Sequence, residues 1–155
     1  MDRNGKGQRR RPEKGAVAIE FALVMPIFLL LVFGMIQYGV YFWAAQGSSN
    51  ATREAARRAA VGDFATCADF RADVRLRIDS LGDSTTAGIW RTYQNGPGNV
   101  KPTIEVGDVV TVTVEFQTPD FHLPFVPFLD DGIVRQSADA RVENVPTDAV
   151  EACPE

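Results

Sequence analysis

The chain has 155 residues, of which 45% are hydrophobic and 23% are charged, and its formal net charge is −4. This length suffices for one membrane segment and one modest domain. Residues 1–15 carry six basic and two acidic side chains, so the remainder of the chain carries a net charge of −8. An acidic main part gives no support to a nucleic-acid-binding protein.

The first 15 residues form a basic leader, MDRNGKGQRRRPEKG, whose polar composition predicts disorder in water. A long apolar segment follows it directly. By the positive-inside rule, basic residues in this place hold the N-terminus in the cytoplasm. The alternative is a patch that binds nucleic acid or anionic lipid. The position beside the apolar segment favours a role in membrane topology.

Residues 16–45 predict one transmembrane helix. Between residues 16 and 36 the only ionisable side chain is Glu20, and this run exceeds the roughly 20 residues that cross a bilayer as a helix. Pro26 is expected to kink the helix or to loosen one turn. An aromatic belt at the far membrane interface is expected from Tyr38, Tyr41 and Trp43.

Residues 46–62 are expected to extend this helix beyond the membrane, because residues 51–60, ATREAARRAA, are strong helix formers. The weakest stretch is residues 47–50, GSSN, where the helix has room to bend or break. Gly62 is placed to end the helix, and Asp63 is placed to cap the next one. One stripe of the extension consists of Ala51, Ala55 and Ala59.

Residues 63–155 are expected to form a small exported domain that starts with a second helix. Apolar side chains recur every three or four residues from Phe64 to Leu81, which predicts an amphipathic helix over that range. Residues 82–102 contain the turn sequence GPGN and predict a loop-rich stretch.

Strand signals follow the loop. Alternating apolar and polar residues predict strands at Val109–Gln117 and Ile133–Asn144, and Thr103–Val106 is a shorter candidate. Residues 121–129, FHLPFVPFL, are expected to pack on the sheet as a loop, and a contact surface is the alternative. Antiparallel strands beside helices predict an α+β class, with a long N-terminal transmembrane helix that extends into the exported domain.

The two cysteines, Cys67 and Cys153, both follow the apolar segment. On an oxidising side of the membrane they allow a disulfide that ties the C-terminal tail to the second helix. Two unpaired thiols are the alternative, and the sequence leaves both open. Their spacing does not fit a CxxC redox or zinc motif, and no cofactor-binding or metal-binding motif is present elsewhere.

The junction between leader and apolar helix carries the most informative motif. Gly15 closes the basic leader, and Glu20-Phe21 follow at the fifth and sixth positions after it. This arrangement resembles the processing site of type IV pilin-like proteins, and most closely that of the TadE-like family of tight-adherence pilus systems. Members of that family have GxxxxEF or GxxxxEY and then an apolar helix that begins FALVxP, matched here by residues 21–26, FALVMP. An alanine- and arginine-rich segment after the span is matched by residues 53–60, so the resemblance covers about residues 14–62.

The resemblance implies a pilin-like fold and specific roles for three residues. A membrane prepilin peptidase would cut after Gly15 and leave Ala16 as the new N-terminus. The carboxylate of Glu20 would pair with the N-terminal ammonium of a neighbouring subunit, which makes it an assembly residue and not a catalytic one. The implied partners are the membrane, the peptidase, other pilin subunits and the pilus assembly platform.

Two departures from the family pattern refine this interpretation. Ala16 is not the bulky apolar residue that other pilins carry after the cut, so N-methylation does not follow. The exported domain, at over 90 residues, far exceeds the very short major pilins of tight-adherence systems. The expected function is therefore a minor pseudopilin in the bacterial inner membrane, with its N-terminus cytoplasmic and its C-terminal domain extracytoplasmic, present in the membrane or in the pilus.

Three other classes of protein were weighed. A permanently anchored scaffold protein of pilus assembly shares the topology and stays open. A secreted protein with a signal peptide cut near Ala44-Ala45 is disfavoured, because the apolar run is too long for the 7–15 residues of a typical h-region. An enzyme is not expected, because the sequence contains no catalytic motif such as GxSxG or a P-loop.

Overall fold

The computed structural model describes residues 14–101, 103–120, 122, 129–145 and 153. The leader before residue 14 and most of the 121–129 segment therefore lie outside the described residues. The described part contains two helices and a three-stranded antiparallel sheet, which confirms the α+β class. The elements are α1 (Lys14–Ala60), α2 (Cys67–Ile78), β1 (Gly88–Gln94), β2 (Val109–Gln117), a short 3₁₀ segment (Leu129–Gly132) and β3 (Ile133–Arg141).

The first helix, α1, is continuous over 47 residues and includes Pro26. Its length is roughly 70 Å at 1.5 Å per residue. The stretch at residues 47–50 is helical throughout, although its composition is unfavourable. Tertiary packing explains this result, because a Cβ atom on Gly47 would lie 2.7 Å from a methyl carbon of Leu81. A side chain at residue 47 would have to displace the Leu81 side chain, so glycine favours the observed packing, at some cost in helix propensity.

Gly62 ends α1 as predicted. It has a positive φ of 76°, a conformation that glycine adopts without strain. The backbone N–H of Gly62 donates to the carbonyl of Ala59 over 3.2 Å, and the N–H of Asp63 donates to the carbonyl of Arg58 over 3.1 Å. This pair of bonds is the Schellman pattern, which satisfies carbonyls at the helix end.

The predicted start and cap of α2 are wrong. The helix begins at Cys67, and Thr66 is its N-cap, whose hydroxyl accepts a 3.1 Å hydrogen bond from the N–H of Asp69. Asp63 instead forms a 2.6 Å ion pair with Arg58. Phe64 and Leu81 are buried, but they lie in the turns that flank the helix. Their apolar spacing continues the helical pattern, so the predicted helix is too long at both ends.

The sheet has the order β1-β2-β3, with β2 paired on both sides. Val112 at its centre pairs with Arg91 of β1 and Ala138 of β3. The bounds of β2 agree with the prediction, whereas β3 ends at Arg141 and not at Asn144. β1 lies in the stretch predicted as a loop, and Thr103–Val106 is not a strand.

The core lies between the second half of α1 and the inward face of the sheet. β2 presents alternate fully buried valines to it, and α2 contributes Phe70, Val74 and Ile78. The facing side of α1 consists of small residues, which let the helix axis approach the strands closely. The two hydroxyls in this stripe donate to helix carbonyls, so they are buried without loss of hydrogen bonds. The small buried residues of α1 are Ala44, Ser48, Ala51, Thr52, Ala55, Ala56, Ala59 and Ala60.

A disulfide joins Cys67 at the start of α2 to Cys153, with a Cα–Cα distance of 5.7 Å. Cys153 also exchanges two backbone hydrogen bonds with Arg91, of 3.2 and 2.9 Å. Cys153 thereby extends the sheet beyond β1 by a single bridge. An edge of β1 that would otherwise present unpaired N–H and C=O groups is covered at this point.

Replacement of both cysteines by serine is expected to lower the free energy of unfolding of the folded domain by about 2–5 kcal/mol, because the denatured chain loses a long-range constraint. Thermal unfolding followed by near-ultraviolet circular dichroism of the full chain in detergent micelles measures this loss. Free thiols in the native protein are counted in parallel by alkylation and mass spectrometry without reductant. Quantitative alkylation of both cysteines in protein isolated from its host would contradict the pairing.

Asp108 organises the long loop between β1 and β2. Its buried carboxylate accepts hydrogen bonds from the N–H of Gly96 and of Glu105, both at 2.8 Å, and from the side-chain amide of Asn99 at 2.7 Å. These donors favour the charged form, so the backbone hydrogen bonds, first that of Glu105, lower the pKa of Asp108 below its ordinary value. The loop conformation therefore depends on an ionised aspartate.

We expect the folded domain to lose stability as the pH falls below about 4, because Asp108 is ionised in the folded state at pH values where the unfolded chain takes up a proton. The stabilisation is present above the unfolded pKa and is lost as the pH falls through the lowered folded pKa. Thermal unfolding midpoints measured between pH 3 and pH 7 test this.

An Asp108→Asn variant separates this effect from that of Asp73 and Asp83, whose pKa values are also lowered. The variant is expected to be less stable than the wild type at pH 7 and to show a smaller further loss at pH 3. An unchanged slope between the two pH values would contradict the assignment to Asp108.

Candidate functional site

The predicted processing position lies in the first turn of α1. Gly15 and Ala16 are exposed, and no atom outside the local helix lies within 4 Å of a Cβ atom built on Gly15. The N–H groups of a first helical turn have no intrahelical acceptor, so this turn opens more easily than the helix interior. The Gly15–Ala16 peptide bond is therefore accessible within the described part of the chain.

Glu20 lies one turn beyond Ala16 on the same face of α1, about 6 Å further along the helix axis. It is exposed, and among the described residues it has no hydrogen-bond or ion-pair partner. Phe21 beside it is 60% exposed. The structure thus leaves both the carboxylate and its apolar surroundings open to contact from outside the chain.

The apolar half of α1 is uncovered by the other described residues. Within the described part of the chain, one helix is long and apolar enough to cross a membrane, and its most apolar window has a mean hydropathy of 2.6 with none of its residues buried. Large apolar side chains are exposed on every face of this part of the helix. Their exposure is unfavourable in water and favourable in the hydrocarbon of a membrane. They include Val17, Ile19, Leu23, Ile27, Phe28, Leu31 and Met35.

The covered half begins at Gln37, which is only 2% exposed. Its side-chain amide donates a 3.3 Å hydrogen bond to the carbonyl of Pro119, just after β2. The uncovered part therefore runs from residue 15 to residue 36, roughly 33 Å at 1.5 Å per residue. That length is close to the roughly 30 Å thickness of a bilayer hydrocarbon core.

The predicted aromatic belt is distributed around the helix. Tyr38 and Tyr41 are half-buried against the domain, whereas Trp43 is 55% exposed. Phe42, which the prediction omitted, is equally exposed and contacts the ring of Tyr41 edge-on at 5.8 Å. Phe42 and Trp43 are thus the aromatic residues that the structure leaves open just beyond the uncovered stretch.

The alanine- and arginine-rich segment connects the two helices. Arg58 forms 2.6 Å ion pairs with Asp63 and with Asp73 of α2, and Asp73 also pairs with Arg77 at 2.8 Å. The hydrogen bond from Arg77, followed by that from Arg58, lowers the pKa of Asp73. The guanidinium of Arg58 further stacks on Phe64 at 4.8 Å from the ring centre. Arg58 of this segment therefore holds α2 and the turn before it against the end of α1.

Sequence reasoning missed a buried cation. Arg91 on β1 is 2% exposed, and its guanidinium carbon lies 5.0 Å from the ring centre of Phe70 and 5.6 Å from that of Tyr93. Burial raises the pKa of the Tyr93 hydroxyl, an effect that the charge of Arg91 reduces. The alternation of side chains in residues 88–94, GIWRTYQ, was the available signal for a strand. It was missed because the inward position 91 is an arginine and not an apolar residue. Among the described residues no group of His, Cys, Asp and Glu is placed to hold a metal ion.

The family model described as TadE-like protein matches residues 15–57. The search of curated proteins found no match, and neither did the search of solved structures. The matched segment contains Gly15, Glu20 and the uncovered helix, and it ends within the extension that packs on the sheet. Residues 15–57 are therefore similar to TadE-like proteins, and this similarity suggests a role in the assembly of tight-adherence pili.

Proposed function

We propose that the chain is a minor pseudopilin of a tight-adherence pilus, processed after Gly15 and assembling through the uncovered part of α1. The observation that supports this most directly is the division of one continuous helix. Its first half is apolar, exposed and carries a lone carboxylate, and its second half is the core of a folded domain. An element of this kind can insert into a membrane or a helical bundle while its domain stays outside.

In this proposal the leader, residues 1–15, faces the cytoplasm, and the domain after residue 62 is extracytoplasmic at the bacterial inner membrane. The basic leader supports the orientation. The membrane segment of residues 16–45 then has two parts. Residues 16–36 occupy the hydrocarbon core, and the remainder, with Phe42 and Trp43 exposed, lies in the headgroup region where aromatic side chains are favoured.

A prepilin peptidase is the partner that this arrangement requires first. Cleavage after Gly15 converts the amide nitrogen of Ala16 into an ammonium group at the end of an apolar helix. A glycine at the cut lets the backbone approach a protease closely. A charged side chain costs about 2.5–3.5 kcal/mol near the membrane centre on insertion scales. The new ammonium and Glu20 lie at the start of the helix, where the cost is lower, but both remain unfavourable in apolar surroundings.

Pairing between neighbouring subunits relieves both charges. The ammonium of one subunit and the Glu20 carboxylate of the next attract each other strongly in a medium of low dielectric constant. Because each charge has one fixed position along its helix, the pair also sets the axial register of the two helices. Glu20 thereby acts in assembly without a catalytic role.

Two other functions are weighed against the structure. A permanently anchored scaffold protein of the pilus machinery shares every feature above. It differs from a minor pseudopilin only in that it does not enter the fibre. A secreted protein cut near Ala44-Ala45 fits less well, because Ala44 is fully buried where α1 packs in the domain. A cut there would divide the helix within its packed half.

The first measurement is the N-terminal residue of the mature protein, determined by mass spectrometry on membranes of the native host. We expect Ala16. A Gly15→Val variant is expected to retain its leader, because a branched side chain at the cut obstructs the approach of the protease backbone. An intact leader in the wild type would reduce the protein to an ordinary anchored one, and a cut near Ala45 would make it a secreted one.

A Glu20→Gln variant is expected to insert into the membrane and to be processed but to assemble poorly. The amide has nearly the same shape as the carboxylate but carries no charge, so it cannot pair with the ammonium. Electron microscopy of pili and fractionation of the protein measure this. Glu54→Gln, an exposed acid on the same helix outside the apolar part, is the matched control and is expected to assemble normally. Normal piliation of the Glu20 variant would remove the pairing mechanism.

A further inference from the structure

A pocket of about 220 Å³ lies at the junction of α2 and the start of β1. It is distinct from the uncovered helix, and nothing in the proposed function uses it. Two arginines of α2 stand on one side, and an aromatic residue of β1 stands on the other. The lining residues are Arg71, Arg75, Ala87, Gly88, Ile89 and Trp90.

Trp90 is held in a defined position on the outer face of the sheet. Its ring lies over Gly88, where an added Cβ atom would come within 2.7 Å of two ring carbons. On the same face the guanidinium carbon of Arg135 lies 5.5 Å from the ring centre, and Glu115 pairs with Arg135 at 3.4 Å. A half-buried tryptophan fixed by a glycine and a cation is a preorganised contact surface.

The arginines of α2 differ in what they contact. Arg77 is committed to Asp73, and Arg71 donates a 3.2 Å hydrogen bond to the carbonyl of Ile89, which places its side chain at the pocket wall. Arg75, one turn from Arg71, is exposed and has no hydrogen-bond or ion-pair partner among the described residues. The pocket rim therefore carries the charge of Arg75, which no described residue pairs with, in a chain whose main part is acidic.

We propose that this pocket binds a short acidic segment of a partner protein, with a carboxylate on Arg75 beside Arg71 and an apolar side chain against Trp90. Guanidinium groups recognise carboxylates through paired N–H donors, and tryptophan and arginine dominate the binding energy of protein interfaces. This site is independent of the processing after Gly15, so either can fail without the other.

The size and charge of the surroundings select the class of ligand. A volume of about 220 Å³ is below the roughly 300–1,000 Å³ of sites for drug-sized molecules and cofactors, so it accommodates one or two side chains. The chain beyond residue 15 carries a net charge of −8, which disfavours a long polyanion. A short segment with two or three acidic residues meets less of this repulsion.

The test uses the full chain in detergent micelles with Trp43→Phe, which leaves Trp90 as the remaining tryptophan of the two in the sequence. The probe is the peptide acetyl-Glu-Phe-Glu-amide, and the readout is the emission of Trp90 during titration. We expect a saturable shift with this peptide and none with acetyl-Gln-Phe-Gln-amide. Arg75→Gln is expected to weaken binding about tenfold or more, since a charge-assisted pair is lost.

Arg53→Gln is the matched control, because Arg53 is also an exposed helix arginine with no partner among the described residues. It is expected to bind the peptide as the wild type does, and near-ultraviolet circular dichroism checks that both variants are folded. Equal binding by the Arg75 variant would overturn the proposal. So would Arg75-dependent binding of polygalacturonate without binding of the peptide, which would assign the site to a polysaccharide. Peptide binding that requires removal of residues 154–155 would likewise overturn it, because the chain's own end would then fill the pocket.

Discussion

The structure depends on the close packing of one helix face against one sheet. The second half of α1 presents alanine, serine and threonine to the inward face of the sheet, which includes the buried valines of β2. The same helix continues, without an interruption, into the apolar part that the described residues leave uncovered. The membrane anchor and the main core helix are therefore one covalent element, and neither can be moved independently of the other.

This arrangement explains which parts of the fold could be predicted from the sequence. The strand β2 alternates valine and threonine so regularly that its bounds were predicted correctly. The long helix was predictable because its apolar run is long enough to cross a membrane and its alanine-rich extension consists of strong helix formers. The motif at Gly15 and Glu20 depends on local spacing alone, so it too was visible without a structure.

What could not be predicted depends on tertiary contacts. β1 escaped notice because its central inward residue is Arg91, which the rings of Phe70 and Tyr93 accommodate only in the folded domain. The start of α2 was misplaced because buried Phe64 imitates a helical position from the preceding turn. The pocket beside Trp90 combines residues from two elements far apart in the sequence, and no linear pattern brings them together.

The continuity of α1 also has a mechanical consequence. With no flexible linker between anchor and domain, a tilt of the anchor by about 10° moves the far end of a roughly 70 Å rod by about 12 Å. Rotation about the helix axis likewise turns the whole sheet to face a new direction. The orientation of the domain surfaces therefore depends on how the anchor packs among its neighbours. A force applied to the domain is transmitted to the apolar end through the backbone hydrogen bonds of one continuous helix.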